Sequence, residues 1–445
     1  MQHRLDVQDF IDNHRFSGLQ WRVLGFCFLV VALDGLDTAA IGFIAPALVQ
    51  EWGIPRESLG PVLSAALVGL ALGALIAGPL ADRFGRKAVI VWSVVFFGLG
   101  SLASALAGSV GELTLLRLLT GIGCGAAMPN ATTLMSEYAP AKHRSVLVTT
   151  MFCGFTLGSA AGGFLAAKLI PLFGWHSVLL LGGVLPLVFA LALLRWLPES
   201  ARFLVLRQRP AAEVAAILRR IEPALPETTE FVIHDQLRHA GKTDSSIATV
   251  LSPELRFGTA MLWLAYFMGL AVFYLLTGWL PTLVKSVGFP FDQAAMVGAM
   301  LPVGGTVGAI LCGWLMDRLK PQCVIALAYA AGAGLIYVLS RHYTDLTTLL
   351  WLVFGTGVCV SGAQTSLSAL AAGFYPTQGR ATGVAWMLGF GRFGAIFGTL
   401  LGGVMLGAGW HFSNIFAILA LPTLVAAAAI GLKGLRYRAP GVAGA

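Results

Sequence analysis

Leu33-Asp34-Gly35-Leu36-Asp37-Thr38 places two carboxylates in the middle of an otherwise almost uncharged apolar run from Trp21 to Leu48. The run is long enough to cross a membrane, and a charge at the bilayer centre costs about 2.5 to 3.5 kcal/mol on insertion scales. Spaced i, i+3 and i+4, Asp34, Asp37 and Thr38 share one helix face, which has to look into a polar cavity rather than at lipid. The pattern points to a proton or solute path, with Asp34, the deeper acid, as the expected proton carrier. The competing reading is local capping or pairing by Asp37 at a helix break at Gly35.

The rest of the chain is of the same kind. It is 57% hydrophobic and 11% charged, with a mean hydropathy of +0.81, whereas soluble domains carry about 25% charged residues. Membrane-length runs recur at Trp21–Leu48, Leu59–Ala81, Ala88–Ala107, Leu113–Tyr138, Val146–Ile170, Ser177–Leu197, Gly258–Leu283, Ala294–Met316, Val324–Leu339, Leu346–Phe374, Ala381–Leu406 and Phe412–Leu432. The expected fold is therefore an all-α polytopic membrane protein with twelve transmembrane helices.

The net charge of +8 does not signal nucleic acid, because its placement follows the membrane. Of the 29 Lys and Arg, only Arg56, Lys168, Lys285 and Arg341 fall on the outer side, and Arg117 and Arg392 fall within spans. This positive-inside bias predicts a multi-pass protein with both termini cytoplasmic. The six cysteines and eight histidines show no disulfide or metal-ligand spacing, so no metal site is expected.

One long hydrophilic interruption, Pro198–Arg256, separates six spans from six and carries Arg202, Arg207, Arg209, Arg219, Arg220, Arg238 and Lys242. It reads as a solvated linker in preference to a helix around Ala211–Ile221. The expected division is an N-terminal segment 1–20, a six-helix bundle 21–197, the linker 198–256, a second six-helix bundle 257–433 and a tail 434–445. The halves repeat. Gly78-Pro79-Leu80-Ala81-Asp82-Arg83 returns as Gly313-Trp314-Leu315-Met316-Asp317-Arg318, an offset of 235, and Glu137-Tyr138-Ala139-Pro140 with Arg144 is echoed by Phe374-Tyr375-Pro376 with Arg380. Two matches at similar offsets predict two pseudo-symmetric six-helix bundles, with a binding site near the midplane.

The loop Gly78–Lys87 resembles the signature loop of the major facilitator superfamily, and Arg117 with Gly121, Gly123 and Gly125 resembles its fourth-helix motif. Asp34-Gly35-Leu36-Asp37, Pro198-Glu199-Ser200-Ala201-Arg202-Phe203 and Tyr375-Pro376-Thr377-Gln378-Gly379-Arg380 together resemble the aromatic acid:proton symporter family, and within it the 4-hydroxybenzoate and protocatechuate transporters. The resemblance spans essentially the whole chain. It implies the major facilitator fold, a place in the bacterial inner membrane, a monomer, and no cofactor beyond the proton as coupling ion.

The residues can be assigned jobs on chemistry alone. Asp82, Arg83, Arg86, Glu137 and Arg144, with Asp317, Arg318 and Arg380 in the second half, are expected to form a cytoplasmic gate of ion pairs, with Lys87 also meeting an acid such as Glu137. Arg117 and Arg392 cannot shed their protons, so each needs an anion. Arg117 is expected to pair with a carboxylate such as Asp34, completing a proton-coupling set with Asp37. Arg392 has no central acid in its own half, so its expected counter-ion is the substrate carboxylate; a structural pair with Asp34 or Asp37 is the alternative. Asp34, Thr38, Tyr266, Tyr274, Gln364 and Trp386 complete the expected binding set, the aromatics for ring contacts and Gln364 for a ring hydroxyl.

Gly389-Phe390-Gly391-Arg392-Phe393-Gly394 fits a dinucleotide fingerprint, but it sits in an apolar helical run with no preceding strand, and nothing else argues for an enzyme. Three functions remain: proton-coupled uptake of aromatic carboxylates, proton-driven efflux of organic anions or drugs by antiport, and a transporter doubling as a chemotaxis sensor. Superfamily efflux pumps resemble one another in a Gly-Pro pair on the fifth span, where this chain has Ser159 after Gly158. Uptake is the favoured reading, with small aromatic acid, proton and lipid bilayer as partners.

Overall fold

Twelve helices among the described residues are long and apolar enough to cross a membrane. The structure, a computed structural model, describes residues 3–222, 229–232, 250–376 and 380–437. The spans are α2 (Gly18–Trp52), α3 (Leu59–Phe84), α4 (Arg86–Ser104), α5 (Val110–Tyr138), α6 (Arg144–Phe173) and α7 (His176–Trp196), then α10 (Arg256–Ser286), α11 (Phe291–Met316) and α12 (Pro321–Leu339). The tenth span is α13 (Leu346–Thr356), a π-helical turn at Gly357–Ser361, and α14 (Gly362–Phe374); α15 (Arg380–Gly407) and α16 (Phe412–Arg436) follow. Trp92 (71% exposed) and Trp351 (68%) are large apolar surfaces that only a lipid phase makes inexpensive.

Outside the spans the chain is more ordered than the sequence predicts. A short strand β1 (His3–Asp6) pairs in parallel with β2 (Thr229–Val232), a small addition to the all-α membrane fold. Asp6 caps α1 (Val7–Asn13) by accepting from the amides of Gln8 and Asp9. The linker holds α8 (Ala201–Leu206) and α9 (Ala211–Leu218), which corrects the solvated-linker reading. These helices form because Val7, Phe10 and Ile11 bury against Phe203, Leu204, Val214 and Leu218, an apolar stripe that a solvated segment would leave in water. Arg238, Lys242, Thr377, Gln378, Gly379 and the side chain of Arg380 lie outside the described residues.

The chain divides into two compact units. The first comprises residues 1–38, 68–158 and 179–242, and its core joins α2, α4, α5 and α7 through Val31, Val94, Phe97, Cys124, Leu134 and Leu193. Glycines let its backbones touch. A Cβ at Gly158 would strike the carbonyl of Ala32, one at Gly125 that of Leu70, and one at Gly123 would press on Phe97. The second unit comprises residues 39–67, 159–178 and 243–445. Within it, the ends of α2, α3 and α6 remote from the linker pack on α10, α11 and α15: Gly42 against Thr277 and Gly278, Gly60 against Gly403, and Phe43 against Gly298. Trp175 donates to Glu51 Oε2 at 2.9 Å, fastening the start of the sixth span to the end of the first.

Candidate functional site

α2 runs unbroken through Gly35, so the helix-break reading does not hold. Gly35 is instead a close-approach position, because a Cβ there would meet the carbonyl of Phe155 on α6. With α6 pressed on one side, the carboxylates turn to another, and both are buried: Asp34 is 1% exposed and Asp37 3%. Thr38 Oγ1 donates to Asp34 Oδ1 at 3.2 Å.

Arg117, fully buried on α5, meets Asp37 and not Asp34. Its Nη1 donates to both Asp37 oxygens at 3.3 Å. Nε and Nη2 donate to Ser104 Oγ at 3.2 and 2.8 Å, and Nη2 also to Thr120 Oγ1 at 3.2 Å. Each guanidinium nitrogen thereby has a hydrogen-bond partner, which is what a buried cation requires. The partner is Asp37 because Arg117 lies near the start of α5, on the side remote from the linker, and α2 reaches that level one turn after Asp34. Ser104 and Thr120 were not expected at this site. The thiol of Cys124 stands 4.0 Å from Asp37 Oδ2.

The second unit gathers a different set. Gly391 lies against the ring of Tyr266, with Gln364 and Ser368 near the Tyr266 phenol. Gln364 is 7% exposed; its Oε1 accepts from Tyr329 OH at 2.6 Å and its Nε2 donates to the Tyr266 carbonyl at 3.4 Å. Gly269 leaves the room that the Gln364 amide and the Tyr329 hydroxyl occupy. Among the described residues no carboxylate lies within ion-pair distance of Arg392. The structure thus sets Tyr266 beside Gln364 and Tyr329, with Arg392 following Gly391 against the Tyr266 ring. Trp386 is not with them, but packs on Trp263 with ring centroids 5.9 Å apart. Tyr274 sits edge-on to Phe273 at 5.2 Å.

The expected gate is only partly built. Arg86 reaches Asp82 at 3.4 Å and Glu137 at 3.3 Å, but the Asp82 side chain is 75% exposed, so the Glu137 pair is the stronger. The missing member is Glu199, whose Oε1 accepts from the backbone amides of Arg86 at 2.9 Å, Lys87 at 3.2 Å and Ser200 at 2.8 Å. It caps α4 at its positive end, and Gly85, at φ 98°, leaves it the space. Lys87 binds the Leu194 carbonyl at 2.8 Å instead of an acid, because its side chain leaves α4 towards the end of α7. Arg83 lies over Phe84 and Arg318 over Trp314. Neither those two nor Arg144 and Asp317 make an ion pair among the described residues.

Residues 27–354 match the family model described as Major Facilitator Superfamily. The chain is 54% identical over 433 residues to the 4-hydroxybenzoate transporter PcaK of Pseudomonas aeruginosa, covering 97% of this chain and 96% of that one. It is 51% identical over 431 residues to a gallate transporter of Pseudomonas putida, covering 97% and 95%. Among solved structures, a D-xylose-proton symporter superposes with a TM-score of 0.70 at 20% identity, covering 92% of this chain and 97% of that one.

Proposed function

The chain belongs to the major facilitator superfamily, and on that premise we propose that it takes up aromatic carboxylates such as 4-hydroxybenzoate or 3,4-dihydroxybenzoate with a proton. It is a multi-pass membrane transporter, not an enzyme. The observation that carries the proposal is Arg392, an intramembrane cation without a carboxylate partner among the described residues, next to Gly391, which lies against the ring of Tyr266. The substrate carboxylate supplies the counter-ion through the planar guanidinium fork, Tyr266 flanks the ring, and Gln364 reads a ring hydroxyl.

Transport runs by alternating access between two six-span halves, 21–197 and 257–433, joined by the linker 198–256. Asp34 takes the proton while Asp37 stays committed to Arg117. The neutralised site then permits the change of state, and proton and anion leave on the linker side. The Arg86, Glu137 and Glu199 cluster steadies the linker-side ends of α3, α4 and α5. The protein works as a monomer in the bacterial inner membrane with both termini cytoplasmic, and the proton is its only coupling ion.

Uptake of labelled 4-hydroxybenzoate is expected to rise as the external pH falls and to collapse with a protonophore. Uptake indifferent to the proton gradient would sink the symport reading.

Arg392→Ala is expected to raise the dissociation constant for 4-hydroxybenzoate about tenfold to a hundredfold, the loss of a charge-assisted hydrogen bond of roughly 1.5 to 3 kcal/mol. Arg392→Lys falls between, since a point charge replaces a fork. Calorimetry in detergent against the uncharged 4-hydroxybenzamide supplies the control: if acid and amide weaken equally, Arg392 is a structural residue.

A further inference from the structure

Matching Tyr138 with Tyr375 aligns the two halves of the chain at the ends of the fourth and tenth spans and sets Phe374 where the first half has Glu137. The offset of 235 that relates Asp82-Arg83 to Asp317-Arg318 likewise sets Pro321 against Arg86. In the first half this corner is filled by acids: Glu137 pairs with Arg86, and Glu199 caps the first amides of α4. In the second half neither acid has an equivalent. The corner holds instead a cavity of about 590 Å³, walled by Pro321, Gln322, Phe374, Lys433 and Arg436.

Lys433 is 1% exposed. Among the described residues it makes no ion pair, and its ammonium lies over the Phe374 ring, 4.3 Å from the centroid. A ring face returns a small part of the hydration that a buried ammonium gives up, so a cation in such a place calls for an anion. α12 begins at the same wall: Lys320 stands at its N-cap without a side-chain cap and Pro321 fills the first turn. The positive end of a nineteen-residue helix is thus left at the cavity without the carboxylate that Glu199 provides for α4. Arg436, exposed beside the cavity, stacks over Phe257 at 4.6 Å.

We propose that this cavity binds a phosphate-bearing anion, which takes the place in the second half that Glu137 and Glu199 hold in the first. Lys433 and the amides of α12 hold the phosphate from the inside, and Arg436 closes on it from the rim. The phosphate comes either from the headgroup of an anionic phospholipid on the linker side of the membrane or from free inorganic phosphate. Leu255, Met316 and Leu370 in the same wall give acyl chains an apolar exit and favour the lipid. The site is independent of which solute the protein carries.

Native mass spectrometry of the purified full chain in detergent, titrated separately with phosphatidylglycerol, phosphatidylcholine and inorganic phosphate, tests the proposal. One phosphatidylglycerol is expected to be retained per chain in preference to phosphatidylcholine. Lys433→Met is expected to weaken it at least about fivefold, the effect of one cation at an anionic headgroup, while Lys433→Arg keeps it. Arg436→Gln, at an exposed position that leaves the fold alone, is expected to weaken it too and decides the matter if Lys433→Met does not fold. Phosphate binding that depends on Lys433 without lipid retention assigns the site to the free ion. Equal retention of phosphatidylglycerol and phosphate by the parent chain, Lys433→Met and Arg436→Gln would overturn the site, whatever the outcome of the uptake and Arg392 experiments.

Discussion

Arg117→Met is expected to destabilise the protein by about 3 to 5 kcal/mol, because it strands the Asp37 carboxylate in a place where that side chain is only 4% exposed. The loss is not the worth of the ion pair itself. Most of it is the cost of a buried charge left without a partner, so the double change Arg117→Met with Asp37→Leu is expected to regain much of the stability. Thermal unfolding in detergent of the two single variants and the double variant closes the cycle. Single and double variants that unfold alike would mean that Asp37 finds another partner. The double variant also separates roles: a folded protein that still accumulates substrate would make the pair a structural brace, and one that binds but no longer accumulates would place Asp37 on the proton path.

Asp34→Asn is expected to abolish uphill accumulation while counterflow of labelled for unlabelled substrate survives. The amide is nearly isosteric and its oxygen can still accept from Thr38, so the fold and the anion site are left in place, but it cannot take up and release a proton. Asp37 cannot substitute in this state, since both its oxygens face Arg117 at 3.3 Å. The two measurements together discriminate: loss of both activities points to a role in folding or substrate binding, and full accumulation by the variant moves proton coupling away from Asp34.

The twelve spans and their doubled order were legible because each is written locally, as a membrane-length apolar run with repeated motifs at its end. The partner choices were not, because they depend on the register between helices distant in sequence. Arg117 selects Asp37 over Asp34 by a single turn of α2, and no count along the chain reveals that turn. Glu199 was visible inside a quoted motif, but its work is to accept from main-chain amides at Arg86 and Lys87, and backbone donors leave no trace in side-chain chemistry. Tyr329 was missed for a related reason, as a hydroxyl in an apolar span whose use appears only once Gly269 has made room for it and Gln364. The linker helices were misread because their apolar face is matched by α1, some two hundred residues earlier.

The short parallel pairing of His3–Asp6 with Thr229–Val232 carries a consequence for the order of events during synthesis. The first strand leaves the ribosome before any span, and its partner follows only after the sixth has been made. At about 5 to 20 residues per second the wait is on the order of ten to forty seconds. The sheet therefore closes as a late clasp, formed when the first six spans have already entered the membrane, and a bulky fusion placed immediately before His3 would burden the nascent chain at that closing step rather than at insertion.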